Sequence, residues 1–464
     1  MANRSRRENR NRPEYEIEIK ETTYPGIGVG YLEDKPMHAK NTFPGQVILG
    51  RHLKNKQGIG QLMVLGKIKG AAWEVEPYCS HYEKCGGCMS QEVPYQRQVD
   101  YKEAEVLAMF KEAGIHFESY LGILKSTEQF HYRNKMEYTF GDEYKDAPLG
   151  LGLHLLSRKN SIVTVDQCQL VSEDFNRLLT STLNHFKKTE IPYYRPMTHK
   201  GTLRNLIIRE GKRTGELMAI LVTASDENLE IEAWKSALLE TELQNKLVSI
   251  YHVTNDSLQD AVVVDKLELI YGSEFITEQL CDLTFKITPM SFFQTNTTAA
   301  EMLYETVMEF AGDIADKEIF DLYCGTGTIG NILAKHAKHV TGIEIIEEAA
   351  LIAQENAKLN NNENTTFIPG DVKDVLAGLS KAPDLIVLDP PRGGIHPKAL
   401  SYAMAFGANE IIYVSCNPRT LAQDLLKMKD TMLLKKMILL DNYPNTSHVE
   451  AIVLMCASSK AGKC

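Results

Sequence analysis

Two short C-terminal signatures carry side chains able to do covalent chemistry: Ser415-Cys416-Asn417-Pro418 and His448-Val449-Glu450. Cys416 is a candidate nucleophile and Glu450 a candidate base, 34 residues further on. Both lie downstream of a glycine-rich loop, Asp321-Leu322-Tyr323-Cys324-Gly325-Thr326-Gly327-Thr328-Ile329-Gly330. A thiol, a carboxylate and a cofactor loop in one segment point to covalent catalysis with a bound cofactor.

Cys416 follows the apolar run Ile411-Ile412-Tyr413-Val414. A cysteine inside a strand would be inert. Asn417-Pro418 break the strand and expose the residue before them. At an ordinary pKa of about 8.5 only a few per cent of a thiol ionises near neutrality, so a neighbouring group must favour the thiolate. Glu450 precedes the run Ala451–Met455. By itself it reads as a surface glutamate, and His448 is as readily structural as functional. Together a thiolate and a carboxylate suit one reaction well. The thiolate adds to carbon 6 of a uracil, carbon 5 becomes nucleophilic and takes a methyl group, and the carboxylate removes the carbon 5 proton so that the thiolate leaves.

These residues need a sheet to position them. From about Phe285 candidate strands alternate with helical runs: Glu318–Leu322, Val340–Ile343, Thr366–Pro369, Leu385–Leu388, Glu410–Val414 and Ala451–Met455. That alternation predicts an α/β domain with a doubly wound parallel sheet over 285–464. Gly325-x-Gly327-x-x-Gly330 follows the first strand and opens a helix, which is a weak signal of nucleotide binding by itself. Glu344 ends the second strand, where a carboxylate can accept from ribose hydroxyls. Asp371 follows the third strand, as a cofactor contact or a helix N-cap. Asp389-Pro390-Pro391-Arg392 follows the fourth. Carboxylates at successive strand ends suit S-adenosyl-L-methionine better than NAD.

Upstream, residues 14–76 read as short strands punctuated by glycine and proline, which predicts a small OB-like β-barrel. The runs are Glu16–Ile19, Val29–Leu32, Gln46–Leu49 and Gln61–Ile68. Arg51, Lys54, Lys56, Lys67 and Lys69 decorate its second half. Residues 1–13 form a basic, flexible tail with five arginines. The segment 77–284 is expected to be an α+β middle domain, with helices near 95–114, Glu173–Lys187 and Leu229–Leu239.

The chain has 464 residues and a net charge of −10. Residues 1–76 hold 13 basic against 9 acidic side chains, a net of +4, whereas 285–464 hold 16 against 21, a net of −5. A basic amino-terminal module can dock on phosphates while the acidic bulk stays away. No apolar run approaches the roughly 20 residues that span a bilayer, and the arginine-rich start lacks a secretory core. A cytoplasmic protein is expected, with no membrane partner and no obligate protein partner. The cysteines are nine, an odd number that argues against a disulfide framework. Cys79-x5-Cys85-Gly86-Gly87-Cys88 clusters three thiols, and Cys168 is a distant candidate fourth. Four thiolates suit an iron–sulfur cluster or structural zinc, and spacing does not choose between them.

The motifs in combination resemble the RNA uracil-5-methyltransferases, of the RlmD type that acts on 23S ribosomal RNA. Ser291-Phe292-Phe293-Gln294-x-Asn296, the Asp321–Gly327 loop, Asp389-Pro390-Pro391-Arg392, Ser415–Pro418 and His448-Val449-Glu450 occur in the family's order, and the likeness covers nearly the whole chain. The resemblance implies Cys416 as nucleophile and Glu450 as base. It implies cofactor contacts from Gln294, Tyr323, Thr328, Glu344, Asp371 and Asp389. It also implies a TRAM-type RNA-binding barrel and a 4Fe-4S cluster on Cys79, Cys85, Cys88 and Cys168. A transfer-RNA substrate, a non-catalytic RNA-binding protein, an amino-directed methyltransferase and an NAD-dependent oxidoreductase are the competing readings. The last three leave Cys416 and Glu450 idle.

Overall fold

A computed structural model describes residues 12–156, 158–226, 228–259 and 261–458. The arginine-rich tail therefore lies outside the described residues up to position 11. Contacts divide the chain into two units. One comprises residues 1–78, 88–116 and 443–449, the other 79–87, 117–442 and 450–464.

In the first unit the alternation Glu16-Ile17-Glu18-Ile19 buries Ile17 and Ile19 and leaves the glutamates outside. The strands Glu14–Thr23, Ile27–Leu32, Lys35–Lys40, Val47–Lys56 and Ile59–Lys69 close into a barrel, in which the first strand pairs with both the second and the fourth. Ile17, Ile19, Met37, Ala39, Ile48 and Leu62 fill it. At Gly30 a Cβ would stand 2.3 Å from Ile17 Cγ2, so a side chain there would displace the core. The sequence pattern reveals four of the five strands. Lys35–Lys40 escapes it because only Met37 and Ala39 are buried among two lysines and a proline. Its hairpin turn, Glu33-Asp34, has both residues at positive φ (48° and 62°), as a tight primed turn requires. Arg51 pairs with Glu14, and Lys67 with Glu74 and Glu92, whereas Lys54, Lys56 and Lys69 are exposed. The helix Tyr95–Glu112 buries Val99, Val106 and Phe110, and with them Gln98, Lys102 and Glu105.

The second unit contains an eight-stranded sheet. Its order is Thr365–Pro369, His339–Glu344, Glu318–Leu322, Leu385–Leu388, Glu410–Ser415, Glu450–Ala457, Met432–Leu440, Ser119–Leu124. The first five are parallel, as expected, and the order reverses between Glu318–Leu322 and Leu385–Leu388. That reversal opens a crevice at the carboxyl ends of the strands. The remaining part departs from the parallel expectation. Glu450–Ala457 runs antiparallel to both Glu410–Ser415 and Met432–Leu440. No crossover helix lies between Met432–Leu440 and Glu450–Ala457, and without one neighbouring strands meet antiparallel. Consequently the amino end of Glu450–Ala457 sits at the carboxyl end of Glu410–Ser415, with Ser415 paired to Ala451.

A mixed seven-stranded sheet completes this unit, flanked by the helices Glu173–Phe186 and Ile231–Leu239. A single apolar core joins the two sheets, with Ile207, Met218 and Tyr251 packed in the same cluster as Phe293, Val387 and Val414. Among the described residues no helix is long and apolar enough to cross a membrane.

Candidate active site

The glycine-rich loop turns sharply at the end of Glu318–Leu322. Tyr323, Gly325 and Gly327 all have positive φ (67°, 54° and 75°). Gly327 starts the helix Thr328–Ala334, and a Cβ on it would stand 2.7 Å from Ala353 Cβ and 2.9 Å from Phe367 Cζ. Beside Gly325 a Cβ would meet nothing within 4 Å. The loop thus packs tightly on one side and leaves room on the other, as a cradle for a ligand must.

The acidic strand ends surround it. Glu344 accepts from Gly325 N at 3.0 Å and from Ile346 N at 2.9 Å. Each carboxylate oxygen keeps a further lone pair for a donor such as a hydroxyl. Asp371 is an N-cap, accepting from Lys373 N at 3.1 Å, and the Lys373 ammonium pairs with it and lowers its carboxyl pKa. Tyr323 is half-buried, and burial pushes its phenol up to about 12. Thr328 is buried in the first turn of its helix. Burial pushes the half-buried Asp389 up to about 7. Asp321, to which no role is given by sequence, is fully buried, and neither carboxyl oxygen has a hydrogen-bond partner. Burial, then the Asp389 charge, push it up to about 7. Its signal in the sequence is its place at a strand end before the glycines. Open space, acidic rims and unpartnered buried oxygens fit a cationic sulfonium cofactor.

Cys416 stands half-buried at the end of Glu410–Ser415, and Glu450 is buried at the start of its own strand. Burial pushes the Cys416 thiol up to about 11, with Glu450 and Asp389 adding to the rise. At that value on the order of one thiol in 10⁴ is ionised at neutral pH. The positive charge of the Arg392 guanidinium works the other way. Arg392 is held in turn, since Asn417 Nδ2 donates to its carbonyl at 2.9 Å. Asp424 ties the same loop to the helix Pro418–Met428, accepting from Ile395 N and Tyr413 Oη at 3.0 Å each. Asn417-Pro418 therefore do more than end a strand: Asn417 links the nucleophile's loop to Asp389–Arg392. The motif Asp389–Arg392 was legible, but the role of its arginine was not.

Burial, then Asp389, push the Glu450 carboxyl up to about 8, opposed by a hydrogen bond from Asn442. Once ionised, such a carboxylate is a stronger base than an exposed one. Asn442 Nδ2 lies 3.5 Å from both Glu450 Oε1 and Gln294 Oε1, so one buried amide joins the base to a residue expected at the cofactor. Sequence gave no sign of Asn442. Gln294 is buried and its carbonyl accepts from Asn134 Nδ2 at 2.9 Å. His448 belongs to the other unit, where its ring packs edge-on against Tyr443.

Cys79, Cys85 and Cys168 lie in the second unit within electrostatic reach of one another. Cys85 Sγ accepts from Gly87 N at 3.3 Å, and burial pushes both the Cys85 and the Cys168 thiol up, the latter to about 11. A Cβ on Gly87 would stand 3.4 Å from the Cys85 sulfur. Three thiols within reach of one another suit the chemistry of a thiolate-bound metal centre. Among the described residues, no group of three or more His, Cys, Asp or Glu has an arrangement that could hold a metal ion.

Comparison with known proteins agrees with this geometry. The family described as tRNA (uracil-5-)-methyltransferase matches residues 94–458. An uncharacterized RNA methyltransferase of Clostridium tetani is 43% identical over 441 residues, covering 95% of this chain and 97% of the relative. Another from Clostridium acetobutylicum is 45% identical over 444 residues, with the same coverage of each chain. The crystal structure of the Pyrococcus abyssi tRNA (uracil-54, C5)-methyltransferase with S-adenosyl-L-homocysteine matches with a TM-score of 0.75 and 26% identity, over 95% of this chain and all of that one. The chain therefore belongs to the tRNA (uracil-5-)-methyltransferase family.

Proposed function

We propose that the protein methylates carbon 5 of a uridine in 23S ribosomal RNA through a covalent adduct between Cys416 and carbon 6 of the base. The observation that carries this reading is the adjacency of Cys416 and Glu450, set by the antiparallel pairing of Glu410–Ser415 with Glu450–Ala457. When bound, S-adenosylmethionine supplies an electrophilic methyl group on a sulfonium. The Cys416 thiolate, favoured by Arg392, adds to carbon 6, and the electron pair moves through carbon 5 to the carbon 4 oxygen. Carbon 5 would then bond the methyl carbon as the methyl–sulfonium bond breaks, the electron pair of that bond leaving on a neutral thioether. Glu450 takes the carbon 5 proton, the double bond re-forms, and the thiolate leaves. The residues proposed to hold the cofactor are Gln294, Tyr323, Thr328, Glu344, Asp371 and Asp389. Glu344 has lone pairs for the ribose, and Asp389 flanks the reacting centre.

Because the enzyme must reach both faces of the ring, the uridine has to be unstacked, which favours a single-stranded loop or bulge. The exposed Lys54, Lys56 and Lys69 of the barrel suit phosphate contacts. A transfer-RNA substrate is the second reading, supported by the substrate of the Pyrococcus abyssi enzyme. Mapping 5-methyluridine in cells with and without the protein separates them. Loss of the nucleoside from 23S ribosomal RNA is expected, and loss from transfer RNA alone would establish the second reading.

A 4Fe-4S cluster on Cys79, Cys85, Cys88 and Cys168 belongs to the same proposal. The grouping of Cys79, Cys85 and Cys168, with the Gly87 N–H donated to Cys85, supports it. Methyl transfer needs no electrons, so the cluster's part is structural or RNA-orienting rather than redox. Anaerobic purification is expected to give about four irons and four sulfides per chain. Stoichiometric zinc without iron would show that the metal is wrong.

A further inference from the structure

The loop that carries Gln294, residues 288–295, links the strand Leu283–Ile287 to the helix Thr297–Ala311 within the second unit and has no regular structure. Its carbonyls have no ladder partners and need donors from elsewhere. The seven-stranded sheet of the same unit supplies them, from two adjacent positions. Arg209 lies near the end of the strand Leu203–Gly211 and is only 2% exposed. Its Nη1 is within hydrogen-bonding distance of the carbonyls of Thr288, Pro289 and Ser291, at 2.7, 3.0 and 2.7 Å. Asn134 immediately precedes the strand Lys135–Gly141, in which Lys135 pairs with Arg209. Asn134 is buried as well, and its Nδ2 donates to the Gln294 carbonyl at 2.9 Å and to Thr297 Oγ1 at 3.0 Å. Its backbone N donates to the Thr295 carbonyl at 2.9 Å, and its own carbonyl accepts from Glu210 N at 2.9 Å.

A guanidinium stays charged inside a protein, and taking it out of water is costly. Across the ladder Arg209 faces another cation, Lys135, so the compensation comes from the carbonyl dipoles of the loop. An apolar side chain would fill the same space and leave those carbonyls unpaired. Arg209 grips the loop at its start and Asn134 at its end, with Gln294 between them. We infer that Arg209 and Asn134 are positioning residues for Gln294: by fixing the backbone on both sides they set the Gln294 side chain where it meets the cofactor. The inference rests on the assignment of Gln294 to S-adenosylmethionine proposed above. It also gives the seven-stranded sheet a part in the reaction, as a rigid mount for a cofactor-binding loop. A fully satisfied buried network of this kind favours one arrangement of the groups it joins.

The test is a double-mutant cycle on cofactor affinity, measured by calorimetric titration of the full-length protein with S-adenosylmethionine. Gln294→Ala should weaken binding about tenfold, and Arg209→Met, which keeps the stem and removes the donors, about fivefold or more. Because Arg209 acts through Gln294, the variant carrying both changes should bind within about twofold of Gln294→Ala alone. Arg209→Lys, whose ammonium can still donate to the carbonyls, should recover most of the affinity. If the two losses multiply in the double variant, Arg209 serves the fold at large and the positioning role is wrong. Asn134→Ala removes the donor to the Gln294 carbonyl; in the same cycle it should also be non-additive with Gln294→Ala, and it decides the matter if Arg209→Met does not fold. The readout needs neither RNA nor the thiol, so it does not depend on the covalent step or on which RNA is modified. If Gln294→Ala itself leaves cofactor affinity unchanged, the failure lies in the assignment of Gln294, and the positioning role falls with it.

Discussion

Replacing Cys416 with alanine should reduce methyl transfer to background, a loss on the order of 10⁴-fold or more, as when other enzymes lose their nucleophile. Cofactor affinity should stay within about threefold, which is roughly 0.6 kcal/mol. The thiol lies within electrostatic reach of Arg392 and Glu450, whereas the residues around the glycine-rich loop lie on other strand ends. Alanine removes one sulfur from a half-buried position, so the fold has little to lose. Calorimetric titration of S-adenosylmethionine and a labelled-methyl assay measure the two properties independently. Substantial turnover by the variant would eliminate covalent catalysis by this residue.

Glutamine at position 450 should divide the reaction in two. Addition of Cys416 to carbon 6 and methyl transfer to carbon 5 need no base at Glu450. Removal of the carbon 5 proton does, and it should slow by roughly 10²–10⁴-fold. A methylated adduct between RNA and protein is expected to accumulate, to survive denaturation and to carry the label. A packing defect is a poor rival explanation, because glutamine has nearly the same shape and its oxygen can still accept from Asn442 Nδ2. If Glu450→Gln turns over normally and leaves no adduct, the proton goes elsewhere, and Asp389 is the nearest alternative, as its charge acts on both Glu450 and Cys416.

Why Cys416 and Glu450 stand at neighbouring strand ends was only half legible in the sequence. Cys416 could be placed at a strand's carboxyl end from Ile411–Val414 and the Asn-Pro break that follows. Glu450 could be placed before a strand. Their adjacency required knowing that this strand is antiparallel, and that depends on Met432–Leu440, whose apolar run is interrupted by Lys435 and Lys436 and gives no clear period. Ser119–Leu124 was hidden for a different reason: Gly122 has a φ of 92°, and the strand finds its place only by pairing with Met432–Leu440, more than 300 residues away. Local pattern carries no information about such a partner. Conversely, the five parallel strands with regular helical crossovers were recovered to within a residue or two, because each is specified by its own apolar run and flanking turn.

The site shows the same division. Residues with a chemical reason to stand at a strand tip, such as Glu344 and Asp389, could be named in advance. Asp371 was ambiguous between a cap and a contact, and capping is the part of that ambiguity that the structure displays. Arg392, Asn417 and Asn442 act through backbone carbonyls and shared amides, and no spacing in the chain announces a hydrogen bond that closes over tens or hundreds of residues.

The most direct measurement is the identity of the methylated nucleoside. Purified protein is incubated with methyl-labelled S-adenosylmethionine and unmodified 23S ribosomal RNA, and the RNA is digested to nucleosides and resolved by mass spectrometry. The proposed mechanism predicts the label in 5-methyluridine, absent when Cys416→Ala replaces the enzyme. Label in a methylated exocyclic amine or on a ribose, formed equally by Cys416→Ala, would contradict it.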